Sequence, residues 1–517
     1  MYAVLAPSAR FHPPALKGLL AAAALFPAAA SATNGYFAHG FSASQRALGG
    51  AGTALTEDAL VSTINPAGLV WVGDRLDVNL SVFAPTRDYT AFARGEEAGV
   101  GIITIDPATV RSDNDLFYIP GFAIARRIDD HSSWGIAIYG NGGMNSEYQG
   151  NTAQFGQNFG IGPVTFATQC DGTFGGGQPT NGAADPIGFC GGVDANAGVN
   201  LIQLFVAPTY SFKIGERTSI GLTPLIAGQR FRADGLGAFA PFSNQPDKVS
   251  ENGNDISWGY GGRVGFLTGV IPGVGIGASY QLRTRMTEFD KYAGLFAEQG
   301  DFDIPSSWNL GLSLHPTDNL RLVADYQRIN FSEVASVGNA LDPNRFVNQC
   351  ALPRLLNGLI PIVGSSAESS ACLGAENGPG FGWQDVNVYK FGVQYKLAAF
   401  KFRAGYSFND AQPIPGSEVL FNILAPAVVE QHYTIGLSYQ ATQKWGFDFA
   451  AMYAPDNPVR GKNPLSNVEA NLAQILIGGA AGGSPALENA FDSDPQDQDL
   501  SIDMHQWEVT LGLSYRF

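Results

Sequence analysis

Six histidines (His12, His39, His131, His315, His432 and His505) and four cysteines are the residues best suited to metal or nucleophilic chemistry, and their spacing serves neither. No two histidines stand three or four residues apart and no Cys-x-x-Cys occurs, so no metal centre is expected. A Gly-x-Ser-x-Gly elbow is missing. Gly49-Gly50-Ala51-Gly52 lacks the Lys and Ser/Thr that complete a phosphate cradle, and no strand precedes it. A lipid-side hydrolase would need Ser and His on neighbouring strands; His432 and His505 lie near outer strand ends, yet no catalytic set takes shape, and the chain is not expected to be an enzyme. The cysteines fall in two local pairs, Cys170 with Cys190 and Cys350 with Cys372. In an exported chain such pairs read as loop-closing disulfides.

The remaining chemistry is that of surfaces, which depends on the elements that carry them. The final eleven residues, WEVTLGLSYRF, alternate strictly: Trp507, Val509, Leu511, Leu513, Tyr515 and Phe517 on one face, polar residues and Gly512 on the other. Tyr389–Leu397, Phe400–Phe408, Tyr433–Tyr439 and Trp445–Tyr453 repeat the pattern, as do Val274–Leu282 and Trp308–Leu314. Fourteen such strands can be placed between Arg75 and Phe517. Six connections are short (129–132, 215–217, 272–273, 316–319, 398–399 and 441–444) and alternate with seven longer ones. Ten-residue dyad segments with short turns at one end and long loops at the other predict an all-β, antiparallel transmembrane barrel. Only 15% of the 517 residues are charged, against about 25% in ordinary soluble chains, while 64 are Gly, 34 Phe and 18 Tyr.

The front of the chain reads as a secretory signal over residues 1–32. Arg10 and Lys17 precede an apolar run, Gly18–Ala30, and Ala30-Ser31-Ala32 has the form of a cleavage site. No apolar run of helical-span length follows. Removing 1–32, with two bases and no acid, takes the formal charge from −16 to −18, which argues against nucleic acid as a partner.

Residues 33–73 break the pattern. Short helix-compatible pieces, Ala43–Leu48 and Glu57–Ile64, are interrupted by Gly49, Gly50, Gly52 and Pro66. About forty residues cannot build a core alone, so this segment is expected inside the barrel (residues 74–517) as a hatch, with Phe37 and Phe41 as candidate pocket aromatics. The third strand, from Trp134 to Tyr139, runs into Gly140-Asn141-Gly142-Gly143, which predicts a broken ladder or a bulge. Period two turns Arg263, Arg283, Arg285 and Lys390 inward. Arg283 and Lys390 are the candidates for a carboxylate headgroup, although lumen cations commonly pair with acids such as Asp448. Arg321, Lys401 and Arg403 also face inward, near the short turns. Leu465, Val468, Leu472, Ile475 and Leu476, and likewise Leu352, Leu355, Leu356, Leu359 and Ile360, recur at helical spacing in the long loops. They would form an outer catching groove or simply cap the barrel.

The stretch NGYFAHGFSASQRALGGAGTALTEDALVSTINPAGLV, ending in Asn65-Pro66-Ala67, resembles the start of the FadL/TodX family of outer-membrane transporters. Tyr139–Asn145, Phe205–Ile214 and Phe302–Pro316 are similar to it as well. The resemblance implies a fourteen-stranded barrel and a hatch carrying Asn-Pro-Ala. It also implies a kinked third strand opening the wall sideways, and passive uptake of long-chain fatty acids or hydrocarbons. A Gram-negative outer membrane, with its lipid and lipopolysaccharide, would surround a monomer. A porin for polar solutes and a non-transporting adhesin or phage receptor are the competing readings.

Overall fold

The computed structural model describes residues 34–92, 104–105, 107–149, 153–154, 196–351, 368–466 and 498–517. Fourteen strands form one wall: β1 Arg75–Ala91, β2 Phe117–Arg127, β3 Ser132–Asn145, β4 Asn196–Lys213, β5 Thr218–Asp234, β6 Asp255–Ile271, β7 Val274–Gln281, β8 Ser307–Leu314, β9 Leu320–Ile329, β10 Val386–Leu397, β11 Phe400–Asn409, β12 Gln431–Gln440, β13 Trp445–Ala454 and β14 Asp499–Arg516. Neighbours pair antiparallel in chain order. The last strand then returns to the first, from Arg75 opposite Arg516 to Ala91 opposite Leu500. Closure leaves neither terminal strand without a partner, as lipid favours, because acyl chains offer backbone groups none.

The alternation falls as the sequence predicts. Trp507 and Leu511 are 54% and 60% exposed, whereas Glu508 and Thr510 between them are 3% and 1%. The apolar face of β14 points away from the barrel and the polar face into it. The same holds for Phe402, Ile435 and Phe447 on neighbouring strands, all exposed. Short turns at 128–131, 214–217, 272–273, 315–319, 398–399 and 441–444 share one end.

Residues 34–72 lie in the lumen. They hold helix α1 (Ala43–Arg46), opened by a capping box between Ser42 and Gln45, and two tight turns, Ala59–Thr63 and Pro66–Trp71. Polar contacts reach the wall in many directions: Ala38 to β3, Ala67 to β4 and β5, Asn65 to β6, Thr53 to β9, Gly49 to β12 and Arg46 to β14. A segment bonded to strands on opposite sides of a closed cylinder is inside it.

The glycines of the wall explain how it fits. Gly221 faces Gly265 across β5–β6, Gly277 faces Gly311 across β7–β8, and Gly392 faces Gly405 across β10–β11. A methyl group added at any of the six would come within 3.0 Å of the lumenal segment: Asn65 and Pro66, Thr53 and Ala54, or Leu48 and Gly49. Missing side chains thus make flat seats where backbone meets backbone.

Cys350 and Cys372 form a disulfide in the connection between β9 and β10. Cys170 and Cys190 lie outside the described residues, as do the signal segment 1–32, residues 352–367, and Val468, Leu472, Ile475 and Leu476. Leu465 is described and buried.

Candidate functional site

Asn65-Pro66-Ala67 is an anchor. The Asn65 amide nitrogen donates to the Thr53 carbonyl at 2.7 Å and to Phe266 of β6 at 2.9 Å, while its oxygen accepts from Ala67 N at 3.1 Å. Pro66 opens the following turn, where its missing N–H costs nothing. The Ala67 carbonyl accepts from Ser211 at 3.1 Å and Ser219 at 2.7 Å. The motif therefore fastens the hatch near the short-turn end of β4–β6. Gly49-Gly50 serves a similar end: both residues are left-handed, with φ of 68° and 78°, and Gly49 N donates to Thr434 at 3.0 Å.

Charge fixes the rest of the hatch. Glu57, 7% exposed at its side chain, is surrounded by Arg321 at 2.5 Å, Arg403 at 3.4 Å and Lys401. Burial alone would raise its carboxyl; Lys401, Arg403 and Arg321 outweigh burial and hold it at about 2. Asp448, expected among the lumen acids, stands 3.8 Å from Arg403. Arg46 meets Glu508 at 3.0 Å.

The cations expected to meet a carboxylate are engaged elsewhere. Lys390 is buried, its Nζ 3.4 Å from the Gly50 carbonyl. It stands opposite Asp325, whose carboxylate accepts from Gly52 N and Thr53 N, each at 2.8 Å. Arg283 lies beyond the end of β7 and binds Asp303 at 2.6 Å, Asp301 at 3.2 Å and the Glu333 carbonyl. Arg263 donates to Ser62 O and to the Tyr139 hydroxyl, each at 3.2 Å. Arg285 is a correction: it is exposed, and it pairs with Tyr260, itself 72% exposed, on the outer face. The ladder of β7 stops at Gln281 and resumes at Arg285–Met286 beside β6, so the period-two count slips by one residue.

The wall is open on one side. β2 and β3 pair only from Gly121 opposite Tyr139 to Arg127 opposite Ser133. Beyond Tyr139, β3 continues to Asn145 paired to β4, with a register shift between Gly140 and Gly142. The glycines do not end the strand; they release it from β2. Pro120, without an N–H for a ladder, stands where β2 loses this partner. The hatch takes the vacated side: Ala38 N donates to Asn141 O at 2.9 Å and Gly143 N to Tyr36 O at 3.2 Å. Gly142 has no side chain because the Tyr36 carbonyl occupies that space. Phe41 packs edge-on against Tyr139 at 4.6 Å, and Phe37 against Phe331 at 5.7 Å.

Among the described residues, two cavities lie on the long-loop side of the hatch. The outer one is lined by apolar side chains including Phe231, Phe239, Leu295, Phe296, Phe381 and Phe421. Its one polar side chain, Ser336, donates to the carbonyls of Ala297 and Asp301. The inner one is bounded by Tyr36, Gly143, Met144, Trp383 and Ala425–Ala427, with Arg87 and Asn145 as its polar members; Arg87 donates to the Asn145 and Asn114 carbonyls. Because Gly143 and Tyr36 line it, the inner cavity adjoins the opening in the wall. Neither Phe37 nor Phe41 lines these cavities. Tyr36, Trp383 and the outer phenylalanines escaped sequence reasoning, since they come from a hatch and several loops far apart in the chain. The aromatic run ending at Trp383 was the available signal.

A family model described as outer membrane protein transport protein (OMPP1/FadL/TodX) matches residues 187–474. The P. putida toluene transporter TodX is structurally similar, with TM-score 0.56 at 15% identity over 93% of this chain and 99% of that one. The Ralstonia pickettii toluene transporter TbuX gives 0.52 at 16% identity, covering 93% and 99%. A Pseudomonas aeruginosa FadL homologue gives 0.56 at 13% identity, covering 93% and 100%. At such identities the likeness speaks for the fold. No curated protein sequence matches the chain.

Proposed function

The chain belongs to the OMPP1/FadL/TodX family of outer membrane transport proteins, and on that premise we propose that it carries neutral hydrophobic small molecules, of the size of a single-ring hydrocarbon, passively into the cell envelope. The route supported by the geometry has three parts. An apolar solute leaves water for the outer cavity, moves to the inner cavity beside Tyr36, and exits sideways between β2 and β3 into the bilayer. The outer cavity is apolar, and the inner one adds Arg87 and Asn145 to a mostly apolar lining; an apolar solute leaving water for such surroundings moves downhill, so no energy source is needed.

The observation that carries this reading is the outer cavity's lining, phenylalanine and leucine with a single hydroxyl already spent. A carboxylate buried there would have to find a cation or shed its charge, and Arg283 and Lys390 are bound to other groups. Toluene transport by TodX and TbuX supports the same class. The lumenal segment supports a closed hatch over an open pore.

The test is uptake of a radiolabelled single-ring hydrocarbon and, separately, of a long-chain fatty acid by cells producing or lacking the chain. Hydrocarbon uptake should rise with the protein and fatty-acid uptake should not. Fatty-acid uptake alone, or neither, would overturn the proposal.

A further inference from the structure

The two cavities share a partition built from two short segments. In the first, Phe381 lines the outer cavity and Trp383 the inner one. In the second, Phe421 and Leu424 face outward and Ala425, Pro426 and Ala427 inward. Trp383 is 1% exposed and packs against Tyr36 at 5.7 Å and edge-on against Phe331 at 5.1 Å. A buried indole needs a partner for its N–H. Trp383 gives it to the Asn422 side-chain oxygen at 2.5 Å. Asn422 is itself locked: its amide nitrogen donates to the Phe381 and Glu418 carbonyls, each at 2.7 Å.

Resting on the transport reading above, we infer that Trp383, clamped by Asn422, is the size-limiting gate between the outer and inner cavities. The indole is the largest side chain on the divider, and one hydrogen bond to a neighbouring loop fixes its orientation. Swinging it costs that bond, leaves Asn422 with an unpaired acceptor, and joins the cavities. A flat single ring needs a small displacement; a bulkier solute needs the indole to leave altogether. Asn422 is thus a positioning residue, acting through Trp383, and Trp383 sets which solutes pass.

The experiment compares Trp383→Leu and Asn422→Leu with the wild-type chain in proteoliposomes. It measures uptake of a single-ring and of a fused three-ring aromatic hydrocarbon, the first serving as internal reference. Asn422→Leu nearly conserves volume and keeps the indole, so it reports the clamp even where Trp383→Leu fails to fold. The three-ring to single-ring uptake ratio should rise about tenfold, the scale on which apolar pockets discriminate by size, and in Asn422→Leu the tryptophan emission should become more accessible to a soluble quencher. Wild-type-like ratios in each variant that folds would overturn the gate while leaving transport intact. Failure of the wild-type chain to take up either hydrocarbon would overturn the transport reading, and the gate with it.

Discussion

Gly221 and Gly265 face each other across β5 and β6, and the Asn65-Pro66 turn rests on the flat they leave. The relationship makes the hatch and the wall one fitted object. Gly221→Val with Gly265→Val should leave a barrel that assembles in detergent but cannot seat its hatch. Single-channel conductance in planar bilayers should rise several-fold above the wild type; unchanged conductance would show that the seat is dispensable.

Glu57 is the charge-based counterpart. Removing a buried carboxylate that faces three cations leaves them uncompensated, at a cost on the order of 3 kcal/mol. Glu57→Gln should therefore expose residues 34–72 to a periplasmic-side protease while β-sheet content by circular dichroism stays constant. Continued protection would place the hatch's stability in its glycine seats alone.

Acid should loosen the hatch through His39. Its ring lies 4.7 Å from that of His432 on β12, tilted by 32°, and bonds Ser407 of β11 at 2.7 Å. Lys390 of β10 and Arg46 of α1 add positive charge, the latter bound to Glu508 and the former opposite Asp325. Burial first, then His432, Lys390 and Arg46, hold the His39 imidazole well below 6.5. A depressed base stabilises the docked state above its ordinary value and loses that contribution as pH falls below it. Conductance should climb between pH 7 and pH 5, and His39→Gln should flatten the climb. A rise on going alkaline instead would reverse the assignment.

A charge placed in the outer cavity should stop transport without unfolding the wall. Phe296→Asp or Phe421→Asp should cut hydrocarbon uptake by at least about tenfold, because an unpaired carboxylate in apolar surroundings costs more than the 1.4 kcal/mol such a factor represents. Outer-membrane yield should hold. Undiminished uptake would move the binding step elsewhere.

The wall was legible in the sequence because its code is local. Trp507, Val509 and Leu511 announce their face by spacing alone, and connection length separates the two ends. That residues 33–73 stand apart from the wall strands is readable from what they lack, namely alternation and enough residues for a core. The role of Asn65-Pro66-Ala67 did not follow, since it depends on Gly221 and Gly265, which come close only after closure. Arg285 was misplaced because a break at 282–284 resets the count. The cavities were invisible for the same reason as the seats: Phe231, Phe296, Phe381 and Phe421 are brought together by closure of the barrel, not by any local pattern.

The most direct test of sideways exit is to sew the opening shut. A Cβ at Gly140 would lie 3.3 Å from the Cγ2 methyl of Ile119, so side chains at the two positions meet across the opening. Ile119→Cys with Gly140→Cys should therefore bridge β2 and β3 on oxidation. Hydrocarbon uptake should be lost in the oxidised double variant and restored by reductant, while wild-type uptake under the same reductant is unaffected. Full uptake through the bridged wall would contradict the account.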